Sequence, residues 1–303
     1  MSAVETIAKL NDNDLSDSSL AELSGLDTQQ LALFEQTWPT IEIEQRRRIV
    51  GNFIRLAEEN IELRFDNIFK SLLRDSSAEI RSQAIEGLWE YEEPSLVPLL
   101  INLLEEDDST NVQIKAAVAL GRFTLLAAYG KLGEDDSARI GQALLSTIDE
   151  ESRAMDVRCS ALEAVAPLAL TEVDRAIKEN YHSGDDRLSL SSIRAMGTNC
   201  DPSWSPILLN ELVNTDSERR CAAASALGEL EDETAVPQLA ELLYDPDIDV
   251  QMASIKALGE IGGAEAKECL ELCLNDSDET ISLAAEQALI VMGDEEDLQS
   301  FIT

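Results

Sequence analysis

The feature that most constrains the fold of this chain is a repeat with a period near 31 residues. A short pattern of apolar and small residues occurs eight times along the sequence, and each copy ends in an apolar residue that we call the anchor. The anchors are Leu56, Leu88, Leu120, Val165, Met196, Leu227, Leu258 and Leu289, at intervals of 32, 32, 45, 31, 31, 31 and 31 residues. A period of this length is typical of stacked-repeat proteins, which function through an extended surface more often than through a pocket.

Each repeat is predicted to begin with a helix. In seven of the eight repeats a small residue stands one and four positions before the anchor, as do Ala226 and Ala223. Apolar residues eight and three positions before it, such as Val250 and Ile255, extend the same face, a spacing that fits a helix and not a strand. Small side chains in register allow the helices of successive repeats to approach closely.

The residues that begin and end helices recur with the same period. Eleven positions before the anchor stand good N-cap residues, namely Ser77, Ser109, Asp185, Asp216, Asp247 and Asp278. A glycine column directly follows the anchor, and we expect it to end the first helix in a left-handed conformation; its members are Gly121, Gly197, Gly228 and Gly259. A second helix follows, with Pro98, Pro206 and Pro237 tolerated in its first turn.

The segment from Asp245 to Gly263 resembles a bacterial HEAT repeat of the short, phycobilisome-lyase-like type. The resemblance spans roughly residues 41–300 and implies an all-α fold, a right-handed α-solenoid (superhelix) of about eight stacked antiparallel helix pairs. Such repeats often carry arginine after the valine of the first helix. That column here reads Arg81, Gln113, Arg158, Ser189, Arg220, Gln251 and Ser282. We therefore expect a ladder of charge pairs that is broken in places.

The domain organisation follows from the ends of the repeat array. Residues 1–40 are predicted to form a capping segment and residues 41–303 the solenoid. Within the cap we expect residues 1–13 to be loosely ordered and two short helices at about 17–24 and 27–37, the second with Asp27 as N-cap. The 45-residue interval places an insertion near 124–138, which is expected to lengthen a helix and then form a loop. A binding role and neutral drift both remain open for this insertion.

The charge of the chain limits its partners. With 23 basic and 60 acidic residues, the net charge is −37, which disfavours nucleic acids and anionic membranes. It favours a basic protein segment or a cation, although acidity that only keeps a long exposed solenoid in solution explains the charge equally well. The sequence has no signal-like segment at residues 1–20 and no run of about 20 apolar residues. Five cysteines, an odd number within helical patterns, suit a reducing cytoplasm.

No catalytic, cofactor or metal site is predicted. The HEAT-like enzyme deoxyhypusine hydroxylase builds a di-iron site from His-Glu pairs, and this chain has one histidine, His182, and no such pair. Cys269 and Cys273 share a helix face but make a poor zinc site without further ligands. Cys159 and Cys221 occupy a column with Ile114, Leu190, Met252 and Leu283, which we interpret as core.

The predicted partner-binding residues fall in two places. Trp89 stands where other repeats have glycine, so we expect its side chain to project at the turn between two helices. The resemblance implies that the second helices line the concave face. The polar residues predicted to be exposed there, called below the second-helix positions, are Asn102, Asn210, Gln238, Glu241, Glu268 and Glu271.

Two functions agree with these observations. The first is a non-catalytic scaffold or adaptor that binds a protein partner along the concave face. The acidic charge would suit a basic segment of that partner. The second, which the phycobilisome-lyase likeness implies, is an accessory or lyase-like factor that handles or attaches a tetrapyrrole (bilin). No cofactor is required by the residues themselves, and the oligomeric state is left open.

Overall fold

The computed structural model describes residues 2–12 and 15–302, with side chains up to residue 293. The described chain is all-α: it consists of α-helices, four short 3-10 turns and connecting loops, and it contains no strand. Two compact units are present, Met1–Ala143 and Leu144–Thr303. Each unit is a stack of paired helices, which confirms the predicted α-solenoid fold.

The first unit holds the N-terminal helices and the early repeats. Its helices are α1 (Ala3–Ile7), α2 (Asp17–Ala21), α3 (Thr28–Thr37), α4 (Ile43–Glu59), α5 (Asp66–Leu72), α6 (Ala78–Gly87), α7 (Val97–Glu106), α8 (Thr110–Ala128) and α9 (Glu134–Asp149), which runs across the unit boundary. Helix α4 packs on α6, and α6 packs on α8. At the proposed insertion, α8 continues to Ala128. After a turn at residues 129–133 the chain is helical again.

The expectation of a loosely ordered N-terminus is wrong for the residues described. Ser2 caps α1 through a capping box with Glu5. The side chains of Ile7 and Leu10 are fully buried, and the amide of Gln45 on α4 donates a hydrogen bond of 2.9 Å to the carbonyl of Asp12. Burial of these two apolar side chains stabilises the segment. The mostly polar composition of residues 1–13 gave no sign of this burial. The predicted Asp27 cap of α3 is confirmed, with bonds of 2.8 Å from Gln29 and Gln30.

The second unit contains the regular repeats. Its helices are α10 (Met155–Val165), α11 (Thr171–Tyr181), α12 (Asp186–Asn199), α13 (Ser205–Glu211), α14 (Ser217–Glu229), α15 (Val236–Leu242), α16 (Ile248–Ile261), α17 (Gly263–Cys273) and α18 (Glu279–Ile302). The first helices of successive repeats pack side by side in the order α10, α12, α14, α16, α18. The second helices α11, α13 and α15 pack mainly on the first helix that follows, whereas α17 packs about equally on α16 and α18. Anchor residues such as Met196, Leu227 and Leu258 are fully buried between these layers.

The glycine column has a different role from the one predicted. Gly197, Gly228 and Gly259 lie inside α12, α14 and α16 and do not end them. A Cβ built on Gly197 would lie 2.6 Å from the Cα of Ala226, and one on Gly228 would lie 2.8 Å from the Cα of Ala257. These glycines therefore allow two helix backbones to touch. The left-handed residues after α12 and α14 are instead Cys200 (φ 57°) and Glu231 (φ 50°).

The predicted N-cap positions are confirmed, but the serines do not cap through their side chains. Asp185, Asp216 and Asp247 each accept a hydrogen bond from a backbone N–H in the first helical turn. At Ser77 and Ser109 no such side-chain bond forms. Their backbone N–H groups donate instead to the aspartate two positions earlier, Asp75 and Asp107 respectively. Each of these aspartates also accepts hydrogen bonds from an arginine, Asp75 from Arg46 and Asp107 from Arg81.

The ladder of charge pairs is broken as expected. Arg220 donates two bonds of 2.8 Å to Asp245 in the next turn, and Arg81 bonds Asp107 in the same way. Gln251 keeps only a bond to the carbonyl of Asp245, six residues earlier. Arg81 and Arg220 therefore join two successive turns. Arg158 donates instead to the carbonyl of Ile148 at 2.8 Å, and Gln251 closes the turn before its own helix.

Candidate interaction surfaces

The second-helix positions are exposed, as predicted. Asn102 lies on α7 in the first unit; Asn210 lies on α13, Gln238 and Glu241 on α15, and Glu268 and Glu271 on α17 in the second unit. The neighbouring residues on the other side of these helices, among them Leu208, Leu239 and Leu270, are fully buried. The amphipathic pattern of each second helix therefore presents these polar groups to solvent.

Trp89 projects from the turn after α6, where its side chain is 52% exposed. The guanidinium carbon of Arg122 on α8 lies 4.7 Å from the centre of the Trp89 ring, a cation–π contact. Burial lowers the pKa of Arg122, with Glu92 and Glu90 opposing that shift. The tryptophan is thus half covered by a cation of its own chain, which fixes its orientation and leaves the remaining face to solvent.

A cleft of about 430 Å³ adjoins Trp89 in the first unit. Its wall includes Ile54, Leu63 and Ile61, whose side chain is 88% exposed. Glu58 and Glu86 stand at its rim. Exposure of this isoleucine beside a tryptophan makes the cleft a second apolar feature that the repeat pattern did not predict, because Ile61 lies in a turn outside the helical columns.

A buried polar cluster joins four helices of the second unit, α11, α12, α13 and α14. The carboxylate of Glu211, 3% exposed, accepts two bonds of 2.9 Å from Arg219 and one of 2.5 Å from the hydroxyl of Tyr181. Arg219 also donates to the hydroxyl of Ser189 at 3.0 Å, and Asn214 donates to Glu211 at 2.9 Å. Tyr181 and Arg219 come from the repeats before and after that of Glu211, so the cluster fastens one repeat to the next.

The protonation states in this cluster follow from its hydrogen bonds. The bonds from Arg219 hold the pKa of Glu211 below its usual value, so the buried carboxylate is ionised. Burial, together with the bond to the Glu211 carboxylate, raises the pKa of Tyr181 from 10 to about 12. The hydroxyl is therefore a hydrogen-bond donor and not a base. Every group has a partner, and the arrangement is structural.

A groove runs across the first helices of the second unit and is called below the first-helix groove. Its acidic half, about 580 Å³, crosses α10, α12, α14 and α16. The carboxylates that line it are Glu163, Glu218, Glu229, Asp247 and Asp249. Only two cations, Arg194 and Lys256, line the same half.

The apolar half of the first-helix groove continues from the acidic half. Its volume is about 690 Å³, and it crosses α14, α16 and α18. Met252, Ile255 and Val291 line it together with small residues such as Ala284 and Ala288. Cys221, Asp249 and Lys256 line both halves, so the two form one continuous surface.

Two carboxylates of the groove lie at the ends of helices. Glu229 and Glu260 stand in the last turns of α14 and α16. A Cβ on Gly197 would lie 2.8 Å from Oε2 of Glu229, and Oε2 of Glu260 lies against Gly228 in the same way. Burial raises the pKa of Glu229, against a hydrogen bond of 3.1 Å from Thr198. A negative charge at a helix C-terminus is unfavourable, which makes these carboxylates receptive to a cation.

The interpretation of the Cys159 and Cys221 column as core is wrong. Both thiols are only half-buried, as is Met252, and Leu283 is 50% exposed. The column lies where the first helices face solvent, and two of its members, Cys221 and Met252, line the first-helix groove. Periodicity alone shows that a column is apolar, but it does not show whether another helix covers it.

Other kinds of site receive no support from the described residues. In that part of the chain no group of three or more His, Cys, Asp or Glu side chains is arranged to hold a metal ion. No described helix is long and apolar enough to cross a membrane. His182 is exposed, and its ring lies edge-on to that of the adjacent Tyr181, with ring centres 4.8 Å apart.

Comparison with known proteins agrees with this architecture. A family model of HEAT repeats matches residues 66–139 and 205–290. The complex of CpcE and CpcF of phycocyanin lyase from Nostoc is similar in fold, with a TM-score of 0.54 and 16% identity over 94% of this chain and 96% of that one. At this identity the likeness shows the fold alone, so the lyase's chemistry is not extended to this chain. The comparison with curated proteins gives no match.

Two further solved structures are similar at lower scores. YibA of Escherichia coli is 15% identical over 94% of this chain and 95% of its own, with a TM-score of 0.44. Human deoxyhypusine hydroxylase is 18% identical over 88% and 96%, with a TM-score of 0.38. Scores this low carry no argument about function.

Proposed function

The chain belongs to the HEAT-repeat family, and from that premise we propose that it is a non-catalytic scaffold or adaptor that binds a protein partner through its exposed helix faces. A basic segment is the partner chemistry that we propose. The second-helix positions are one proposed contact surface, with Gln238, Glu241, Glu268 and Glu271 as its densest part. Trp89 is a proposed aromatic anchor in the first unit.

The observation that carries this proposal is the combination of exposed carboxylates with a repeat architecture. Glu241, Glu268 and Glu271 are exposed on adjacent second helices, α15 and α17, which pack on each other. In a chain with a net charge of −37, such a surface attracts cations and accelerates encounter with a basic partner. All five cysteines are free, which supports our proposal of a reducing compartment such as the cytoplasm.

The proposed function is tested by capture and reconstitution. The immobilised chain is incubated with an extract of its source at low and at high salt, and any bound protein is identified, purified and tested for direct binding. We expect a partner rich in lysine or arginine whose affinity falls as salt rises, because screening weakens contacts between exposed charges. A partner that binds only as substrate for a covalent change would overturn the non-catalytic assignment.

Paired variants then locate the surface. The triple variant Glu241→Gln, Glu268→Gln and Glu271→Gln removes three charges from α15 and α17. Its control removes the same charge from exposed positions of the first unit through Glu22→Gln, Glu35→Gln and Glu62→Gln. We expect the first set to weaken binding of the purified partner roughly three- to tenfold and the control less than about twofold. Equal effects would indicate attraction by net charge and not by this surface.

A further inference from the structure

We propose that the first-helix groove of the second unit binds an amphipathic helix of a partner protein, with apolar side chains at one end and lysine or arginine at the other. This inference rests on the proposed scaffold function and assigns it a second surface on the opposite helix layer. The occupant is defined by three features of the groove: an apolar half, a carboxylate-rich half, and the distance between them.

The apolar half offers contacts that the chain itself does not cover. Met252 is half-exposed and Val291 is 52% exposed, and they stand on the neighbouring first helices α16 and α18. The floor between them is formed by small residues, since Gly259 meets Ala288 where α16 and α18 touch. Close backbone contact thus makes a shallow channel with apolar walls, a shape that accepts the side chains of a docking helix.

The acidic half supplies complementary charge. Five carboxylates line it against two cations, and one of those cations, Arg194, already lies 3.5 Å from Glu163. Lys256 pairs at 3.2 Å with Glu260, outside this half. Glu229 has no ion-pair partner among the described residues. A lysine or arginine from outside is therefore the group that would best neutralise this half.

Two unfavourable features of the free protein point to the same ligand. Oε2 of Glu260 is shielded from solvent and has no hydrogen-bond partner among the described residues. The carboxylates of Glu229 and Glu260 both lie at helix C-termini, where the helix dipole disfavours negative charge. A bound cation in the acidic half would compensate the charge of Glu229, whereas an anionic ligand such as a nucleic acid would add unfavourable charge beside both carboxylates.

The spacing of the two halves favours a helix as occupant. The centres of the two halves are offset by one to two first helices along the row α10 to α18. Neighbouring packed helices lie about 8–10 Å apart. Residues i and i+7 of an α-helix are separated by about 10 Å on one face. A helix with apolar residues in one half and basic residues about two turns later therefore matches both halves at once.

The probe is a fluorescent synthetic peptide of about 18 residues, roughly 27 Å long as a helix, with leucines on one face of its N-terminal half and lysines on the same face of its C-terminal half. Binding to the full chain is measured by fluorescence anisotropy. A scrambled peptide of the same composition has no such face. We expect the scrambled peptide to bind at least about tenfold more weakly. Equal binding of the two peptides would overturn the proposal.

Three variants test the two halves of the groove. Met252→Glu places a carboxylate in the apolar half, and we expect it to lower peptide affinity about tenfold or more. Glu229→Gln combined with Glu218→Gln should lower it about three- to tenfold. The control pair, Glu22→Gln with Glu35→Gln, removes the same charge from exposed positions of the first unit and should change it less than about twofold. Wild-type affinity in Met252→Glu, with an unchanged circular dichroism spectrum and melting temperature, contradicts the inference.

A footprint on the wild-type chain avoids variants altogether. Cys221 lies in the groove and Cys269 on α17, and both thiols are half-buried with a pKa raised by burial. Bound peptide should slow alkylation of Cys221 by N-ethylmaleimide at least about threefold and leave Cys269 unchanged, as read by mass spectrometry. Protection of Cys269 alone would overturn the groove and favour the second-helix positions, so the proposed function would survive. Absence of any peptide binding overturns the groove, and the capture experiment then judges the scaffold function by itself.

Discussion

Arg219 donates two hydrogen bonds of 2.9 Å each to the two carboxylate oxygens of Glu211. The pair joins α14 to the second helix before it, at the repeat where the arginine column is interrupted by Ser189. Arg219 also donates to that serine at 3.0 Å. An arginine from the next repeat thus restores the connection that the local sequence lacks, and this explains why an interrupted ladder does not interrupt the stack.

Loss of the buried charge at Glu211 should destabilise the second unit. In Glu211→Gln the guanidinium of Arg219, with its side chain 16% exposed, loses its carboxylate, and we expect the free energy of unfolding to fall by about 2–3 kcal/mol. Hydrogen exchange of α13 and α14 and urea unfolding measure the change. The exposed control Glu241→Gln should stay within about 0.5 kcal/mol of the wild type. A similar small change in Glu211→Gln would show that the cluster does not stabilise the unit.

Tyr181 should titrate late. Its folded pKa, about 12, lies above the ordinary value of 10, so the neutral hydroxyl contributes stability that is present below pH 10 and lost as the pH rises through 12. Tyrosinate absorbance of the wild type should show a step near pH 12 that is missing in Tyr181→Phe. The control Tyr129→Phe, at a side chain that is 75% exposed, should keep the step. A step near pH 12 that persists in Tyr181→Phe would show that another residue causes it.

Gly228→Ala should force two helices apart. The added methyl would lie 2.8 Å from the Cα of Ala257, a backbone atom that cannot move alone. We expect a loss of about 1–3 kcal/mol in the free energy of unfolding. Gly51→Ala, inside α4 with nothing within 4 Å of the new methyl, should instead stabilise by about 0.5–1 kcal/mol. Thermal unfolding by circular dichroism compares them, and equal effects would refute close contact as the reason for the glycine.

Arg220→Gln should lose the connection between successive turns. Like Gln251, the new side chain could close the turn before its own helix but would not pair with the carboxylate of Asp245 in the next turn. The bond from Arg220 holds the pKa of Asp245 below its ordinary value of 3.8, so this pair stabilises the fold above pH 3.8 and less as the pH falls below it. We expect a loss of about 1–2 kcal/mol at neutral pH. The difference from the wild type should narrow in acid, as measured by urea unfolding at several pH values. A constant difference would exclude the ion pair as its cause.

The repeat boundaries and the helix faces could be predicted from sequence, because both depend on residues less than one repeat apart. The 31-residue period placed the anchors, the N-caps and the proline column correctly. The glycine column was located correctly but given the wrong role, since the contact of Gly197 with Ala226 lies between repeats. In sequence, a glycine near the end of a helical pattern looks the same whether it ends the helix or lets the next helix touch it.

The interaction surfaces were less predictable. The buried cluster was missed because Tyr181, Glu211 and Arg219 belong to different columns of neighbouring repeats. One available signal was Glu211 itself, a charge in a column that holds Leu242 and Cys273 in later repeats. The first-helix groove was missed because its half-exposed column, which includes Met252, has the composition of a core.

The contacts of the glycine column determine which length changes the chain can accommodate. Gly197, Gly228 and Gly259 each meet the alanine 29 positions later. Excision of a whole period, residues 217–247, would bring Ala257 to Gly197 in the geometry that Ala226 now has. Removal of one residue from α14 ahead of Ala226 would instead rotate that alanine by about 100° around the helix axis, away from Gly197. The chain can therefore be shortened or extended by complete modules, and not by single residues within a first helix.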